Sequence, residues 1–97
     1  VDAGVSGRAA QRVAEKLQAM AKVRQVLCIT HLPQIAAVAD GHLLIAKTER
    51  EGRTYTEVTP LDREGRKREI ARIIGTDQIT ELTLKNAEEM LNQGREA

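Results

Sequence analysis

The first third of the chain shows a helical pattern of apolar residues. Apolar side chains recur every three or four positions, at Ala10, Val13, Ala14 and Leu17. This is the spacing of one buried helix face, and charged residues occupy the positions between. Ser6 offers a hydroxyl of the kind that caps helix N-termini. The pattern therefore predicts a helix over residues 8–22.

A mostly apolar run follows over residues 25–29. A short run of this kind is typical of a buried strand. Pro33 and the alanines after it favour a short helix over residues 33–38, because proline suits the first helical turn. His31 therefore stands just past the carboxyl end of a predicted strand, which is the edge where open α/β sheets bind ligands.

The middle of the chain predicts a β-hairpin. A short apolar run over residues 43–46 and a loosely alternating segment over residues 53–59 flank the turn signal Glu51-Gly52. His42 precedes the first of these strands and follows a glycine. That position is typical of an ordinary turn histidine.

Two helices are predicted after the hairpin. The first runs from residue 62 or 63 to residue 74, and Gly75 has the character of its C-cap. The second begins near Thr80, and the polar residues 92–97 are expected to fray. Its apolar side carries Leu82, Ala87, Met90 and Leu91. The order of helix, strand, short helix, hairpin, helix and helix indicates an α/β fold, in which the first helix belongs to a right-handed βαβ crossover.

The composition limits the chain to one small domain. Its 97 residues include no tryptophan or phenylalanine, so any core must be aliphatic. Charged residues make up 30% of the chain but the net charge is only +1, which gives no overall attraction to nucleic acid or membranes. The single cysteine, Cys28, cannot form an internal disulfide, which favours an intracellular protein with an inert, buried thiol. The loop-like start without methionine suggests a piece cut from a longer protein.

His31 is the strongest candidate for chemistry. One interpretation is a structural histidine at the end of a strand. The other is a hydrogen-bond donor to a phosphate oxygen, because the amide groups that begin the next helix favour anions. Cys28 and His42 add no metal-ligand pattern, since strand alternation would point residues 28 and 31 to opposite faces. The sequence contains no P-loop and no GxGxxG motif.

A basic cluster occurs on the predicted helix after the hairpin. It comprises Arg63, Arg66, Lys67, Arg68 and Arg72, interleaved with acidic residues. One interpretation is a solvated face with ion pairs within the helix. The other is a contact with DNA phosphates. No aromatic residues are interleaved with the cluster to stack on bases.

Two motifs together give a family resemblance. The opening VDAGVSGRAAQRVAEKL is followed by QVLCITHLPQIAAVADGHLLIAK, and later by REIARIIG and ITELTLKNAEEML. In this combination the chain resembles the carboxyl-terminal end of the ATPase head in the RecN family of bacterial DNA repair proteins, from the SMC-like branch of ABC-type ATPases. The resemblance covers nearly the whole chain. It implies that residues 1–97 form part of a P-loop NTPase lobe.

The resemblance also implies roles for individual residues. The opening segment resembles the D-loop, so Asp2, Gly4 and Ser6 are expected across the interface between two heads, near the partner's nucleotide. Many relatives have aspartate where this chain has Ser6. Two roles therefore stay open for Ser6: it caps the helix, it contacts the partner head, or it does both. His31 matches the switch histidine that contacts the γ-phosphate of ATP. In this family an Asp-Glu pair directly precedes the opening segment.

A whole protein of this kind would be an ATPase. It would use ATP and Mg²⁺ to close two heads of a homodimer and act on DNA in double-strand break repair and recombination, in the cytoplasm and near the nucleoid. The phosphate-binding loop and the family signature are not in this chain, so the chain alone is expected to be inactive and to bind neither nucleotide nor metal. Two alternatives stay open: the head of another SMC-like ATPase, and a non-enzymatic DNA-binding module built on the last two helices.

Overall fold

A computed structural model describes residues 7–96, with side chains up to residue 94. Within these residues the fold has four helices and one two-stranded antiparallel sheet, which confirms the α/β class. In chain order the elements are α1 (Gly7–Ala21), α2 (Pro33–Val38), β1 (Leu43–Arg50), β2 (Arg53–Pro60), α3 (Arg63–Ile74) and α4 (Glu81–Glu96). None of these helices is long and apolar enough to cross a bilayer.

The short helix α2 lies at the centre of the helical part and contacts α1, α3 and α4. Its Ala36 and Ala37 join the core cluster, whose other members are Ile70, Ala71, Ala87 and Leu91. Alanine is common in this core because small side chains let helix backbones approach closely. Gly94 shows how close the approach is, since a Cβ atom there would lie 2.5 Å from the carbonyl oxygen of Ala37.

Local capping explains where the last two helices begin. The carboxylate of Asp62 accepts a hydrogen bond from the backbone N–H of Gly65 at 2.7 Å, which satisfies one free donor at the start of α3. At α4, the N–H of Thr83 donates to Oγ1 of Thr80 at 3.1 Å, and the N–H of Thr80 donates back to Oγ1 of Thr83 at 2.8 Å. This reciprocal arrangement has the geometry of a capping box.

The predicted hairpin is confirmed, and its strands are longer than the sequence indicates. The register pairs Leu43 with Pro60 and Arg50 with Arg53. The turn residues Glu51 and Gly52 both have positive φ, at 51° and 76°. Two positive φ values in a two-residue loop match the right-handed twist of the flanking strands, which is why glycine suits this turn.

The predicted strand over residues 25–29 is wrong, because this segment belongs to no sheet among the described residues. Leu27 and Ile29 are 86% and 82% exposed, whereas Val26 and Cys28 between them are half-buried. That alternation has the period of a strand, but a strand also needs a neighbour to receive its backbone hydrogen bonds. The segment therefore has the alternation of a strand but no pairing partner in the part of the chain that the structure describes.

Helix α4 also differs from its prediction at both ends. Leu82, expected on the buried side, is 67% exposed, and Leu84 packs against the core instead. The helix continues to Glu96 rather than fraying after Leu91. Asn92 accepts a hydrogen bond from the guanidinium of Arg63 in α3, and this contact between distant residues helps to hold the last turns.

Gly75 ends α3 as predicted, but for a different physical reason. Its φ is −87°, so the left-handed conformation that usually selects glycine is absent here and occurs at Thr76 and Asp77 instead. A Cβ atom on Gly75 would lie 2.1 Å from the carbonyl oxygen of Gln78. Glycine is therefore required because the turn leaves no space for a side chain.

Replacing Gly75 by alanine should destabilise the chain by about 1–3 kcal/mol, the usual cost of forcing extra atoms into a packed site. Gly41→Ala is the matched control, because a Cβ atom there would meet nothing within 4 Å and φ is not positive. Urea unfolding followed by circular dichroism measures both. Equal stabilities for the two variants would contradict the steric explanation.

Candidate functional site

His31 lies in the connection between α1 and α2, two residues before α2 begins. The backbone N–H of Leu32 donates to Oγ1 of Thr30 at 3.0 Å, which closes a tight local turn around the histidine. Leu32 itself has an extended backbone, with φ −96° and ψ 125°, and Pro33 follows at the first helical position. The side chain of His31 is exposed. The turn thus presents the His31 side chain at the surface, where a ligand can reach it.

The opening segment and the histidine turn approach each other through the first residues of α1 and α2. The candidate residues Asp2, Gly4 and Ser6 lie outside the described residues. Gly7, which follows them directly, is close to α2, since a Cβ atom built on Gly7 would lie 3.6 Å from Nε2 of Gln34. Gln34 is three residues after His31. The two sequence motifs are therefore brought together at the amino ends of these helices.

Packing between α1 and α2 fixes this juxtaposition. Ala10 and Ala14 on α1 are completely buried, as the periodic pattern predicts. Farther along α1, Nε2 of Gln18 donates to the carbonyl oxygen of Gly94 at 2.8 Å and ties α1 to the end of α4. Two fully buried alanines and one long-range hydrogen bond thus hold α1 in place.

The amino end of α2 is a weaker anion site than the sequence suggests. The helix has only six residues, and Pro33 at its start contributes no N–H group. At the other end, the guanidinium of Arg66 donates to the carbonyl oxygens of Ala36 and Ala39 at 3.1 and 2.7 Å. The predicted attraction of helix amides for phosphate therefore contributes little, and the imidazole of His31 is the better candidate donor.

A cavity of about 110 Å³ lies between α1, α2 and α4, but it does not include His31. Its polar lining consists of glutamine amides, among them Gln34, and the carboxylate of Glu15. Oε1 of Gln34 is buried without a hydrogen-bond partner among the described residues. Neutral amides and a carboxylate do not favour a triphosphate, so this cavity is not a candidate nucleotide site.

No group of three histidine, cysteine, aspartate or glutamate side chains that could hold a metal ion occurs within residues 7–96. Cys28 is half-buried rather than buried as predicted, and its Sγ lies 3.9 Å from the carbonyl oxygen of Ile29. Among the described residues, Cys28 and His31 have no third side chain beside them that could complete a metal site. Metal chemistry is thus not supported by the described residues.

The basic cluster on α3 is largely used within the fold. Lys67 pairs with Glu64 at 3.2 Å, and Arg72 pairs with Glu69 and Asp77. These contacts confirm the prediction of a face with ion pairs within the helix. Arg63 and Arg66 make the long-range hydrogen bonds described above. Among these residues Arg68 alone makes no hydrogen bond or ion pair with the described part of the chain.

His42 is less ordinary than the sequence indicates. It lies just before β1, is half-buried, and has a buried Nδ1 without a hydrogen-bond partner among the described residues. Burial is the main cause that lowers the pKa of His42, and the positive charge of Arg66 lowers it further. The negative charge of Glu69 partly opposes these two effects. No local sequence signal could have revealed this environment, because Arg66 and Glu69 come from α3.

The depressed pKa of His42 predicts a pH dependence of stability. Between the folded pKa and the ordinary value of 6.5, the unfolded chain binds the proton and the folded chain does not. Stability should therefore fall as the pH drops through 6.5. Urea unfolding at pH 7.5 and 5.5 should show a smaller loss for His42→Gln than for the unmodified chain. An equal loss in both proteins would contradict this assignment.

Comparisons with known proteins find relatives of the chain among curated DNA repair proteins. No family model matches it. The DNA repair protein RecN of Bacillus subtilis is 53% identical over 93 residues, which is 96% of this chain and 16% of that protein. The RecN proteins of Halalkalibacterium halodurans and Vibrio cholerae are 53% and 46% identical over 95% and 94% of the chain, again 16% of each protein. The chain spans about one sixth of the length of these curated relatives. Over nearly its whole length the chain is therefore similar to one segment of the RecN DNA repair proteins.

Proposed function

We propose that this chain is the carboxyl-terminal segment of the ATPase head of an SMC-like, ABC-type DNA repair protein. Its relatives are named for DNA repair, and its GVSGR and ITHLPQ motifs resemble the D-loop and the switch-histidine loop of such heads. In this proposal the full-length protein hydrolyses ATP and uses head closure to act on DNA. The chain contributes two of the segments that surround the nucleotide.

One observation supports the proposal most strongly, namely the proximity of Gly7 to Gln34. Gly7 directly follows the segment that resembles the D-loop, and Gln34 follows His31 by three residues. The two motifs are separated by more than twenty residues along the chain, so their proximity results from folding. In the proposal His31 faces the nucleotide of its own head and the opening segment faces that of the second head, so both motifs must lie at the same interface between heads.

In the proposed mechanism, His31 acts as a hydrogen-bond donor. Negative charge spreads over the oxygens of the phosphoryl group as it is transferred to water. The turn at Thr30 and Leu32 orders the backbone that carries the imidazole, and an imidazole N–H directed at the phosphoryl oxygens stabilises that charge. The exposure of His31 suits this role, because the ring must reach a ligand held by other parts of the head.

Mg²⁺ would be held outside the described residues. Within these residues no acidic group suits a metal ion, so the proposal assigns this role to the Asp-Glu pair that precedes the opening segment in this family. The metal would neutralise charge on the phosphates. His31 would then supply a donor on the γ-phosphate, while Asp2, Gly4 and Ser6 would approach the nucleotide of the second head.

Closure of the homodimer follows from this arrangement. If ATP contacts residues of both heads only in the closed state, its binding favours that state by the difference in affinity. The opening segment is the part of this chain that would provide such contacts. Hydrolysis removes the γ-phosphate contact of His31 and lowers the preference for closure.

The two alternatives are less well supported. The names of the relatives favour RecN over the head of another SMC-like ATPase. A DNA-binding module on α3 and α4 would need free cations on α3, yet Lys67, Arg72 and Arg66 are engaged within the fold.

The experiment that tests the proposal is ATP turnover by the full-length protein with His31 replaced by alanine. Loss of turnover is expected, and full turnover would contradict the proposal.

A further inference from the structure

Helix α1 carries a basic face directed away from the core. We call Arg8, Arg12 and Lys16 the α1 basic face. They follow one another at intervals of four residues, and all three are exposed. At about 100° per residue, they lie on the side of the helix opposite the fully buried Ala10 and Ala14.

The three cations of the α1 basic face are unpaired among the described residues, whereas on α3 this holds for Arg68 alone. None of the three makes an ion pair or hydrogen bond within the described residues. The only acidic residue of α1, Glu15, is also exposed and lies three positions after Arg12, but it makes no ion pair with the three cations. The three cations are therefore available to an external anion, and with Glu15 beside them they carry a net charge of +2.

The charge of the chain is also segregated along the sequence. Residues 7–24 contain five basic residues and one acidic residue, which gives them a net charge of +4. The whole chain has a net charge of only +1, so the remaining residues carry −3. The small overall charge thus conceals a basic segment over residues 7–24.

We propose that the α1 basic face binds the phosphate backbone of DNA without sequence preference. From Arg8 to Lys16 the helix rises about 12 Å, at 1.5 Å per residue. A DNA strand carries one phosphate every 3.4 Å or so along its axis, so three long side chains can each reach a different phosphate. No aromatic residue lies on α1 to stack on bases. This inference rests on the proposed repair function only for the choice of DNA over other polyanions.

An anionic membrane is the less suitable partner for the same surface. A helix that lies in a membrane interface inserts an exposed apolar face beside its basic one. In α1 the apolar side packs against α2, and Ala10 and Ala14 on it are completely buried. This helix can therefore bind a partner by electrostatic contact with phosphates, and not by inserting an apolar face into a membrane.

The test measures the salt dependence of DNA binding. Anisotropy of a labelled 20-base-pair duplex is recorded with the 97-residue chain from 20 to 200 mM NaCl. Each phosphate contact contributes about −0.9 to the slope of log K against log salt. The triple variant Arg8→Gln, Arg12→Gln, Lys16→Gln should therefore lose about two to three units of slope. Its affinity at 50 mM NaCl should fall by about tenfold or more.

The matched control removes the same charge from α3, with Arg63→Gln, Lys67→Gln and Arg68→Gln. It should keep most of the slope, and circular dichroism should show that both variants retain their helix content. The proposal is overturned if the unmodified chain shows no salt-dependent binding at 20 mM NaCl, or if both variants lose slope equally. Binding to phosphatidylserine vesicles in preference to the duplex would also overturn it. His31→Ala should leave DNA binding unchanged, so this test and the ATPase test can fail independently.

Discussion

Replacing His31 by alanine in the full-length protein should lower kcat for ATP hydrolysis by about ten- to a thousandfold, the range for the loss of one preorganised donor to the transition state. The loss arises because charge on the transferred phosphoryl group would no longer meet the imidazole N–H. The side chain is exposed, so its removal leaves no cavity in the fold. Steady-state phosphate release, with protein folding checked by circular dichroism, measures the effect.

The matched control for this prediction is His42→Ala, the same substitution at the other histidine of the chain. His42 lies before β1, where burial and the positive charge of Arg66 on α3 lower its pKa. Its replacement should affect stability more than turnover, with kcat within about twofold of the unmodified protein, as expected for a residue outside the reacting groups. Equal losses of kcat in the two variants would remove the special role of His31.

Replacing Leu91 by alanine should destabilise the chain by about 2–5 kcal/mol, the usual cost of truncating a large buried side chain. Leu91 is 2% exposed and belongs to the core cluster with Ile70 and Ala87. That cluster is built mostly from alanines, so Leu91 and Ile70 supply much of its apolar area. A domain of this size has about 5–15 kcal/mol of stability at most, so the loss should shift the unfolding midpoint strongly.

Leu82→Ala is the matched control, because it makes the same chemical change on the same helix. Leu82 is 67% exposed and should cost no more than about 0.5 kcal/mol, as surface substitutions usually do. Urea unfolding of both variants compares them directly. If Leu82 proved the more costly residue, the chain would bury α4 on the side that the sequence pattern indicates, and the core described here would be wrong.

The sequence predicted the elements whose determinants are local. Helix α2 was predicted over the residues that it occupies, because Pro33 starts it and the alanines continue it. The hairpin followed from the turn residues Glu51 and Gly52, and the end of α3 from Gly75. In each case the residues that decide the structure are within a few positions of one another.

Predictions failed where the deciding contact comes from a distant residue. The segment over residues 25–29 has the pattern of a strand but no partner among the described residues. The end of α4 is held by Arg63 from α3. The environment of His42 depends on Arg66 and Glu69, which follow the hairpin. A single sequence does not reveal which distant residues will meet.

The candidate site shows the same difference between features set by nearby residues and features set by distant ones. The position of His31 between a predicted strand and a short helix indicated an accessible ring, and the ring is exposed. The basic cluster on α3 was a candidate DNA contact from its composition alone, yet Arg66 donates to the end of α2 and Lys67 pairs with Glu64. Free cations occur instead on α1, where the sequence showed only the polar side of an amphipathic helix.

The most direct test of the proposed site is a structure of the full-length protein with a non-hydrolysable ATP analogue and Mg²⁺. The proposal predicts that a ring nitrogen of His31 lies within about 2.6–3.2 Å of a γ-phosphate oxygen, as a hydrogen-bonded donor must. The opening segment around Gly4 should then face the nucleotide of the second head. A nucleotide-bound structure in which the imidazole points into solvent, with no nitrogen within hydrogen-bond distance of the γ-phosphate, would contradict it.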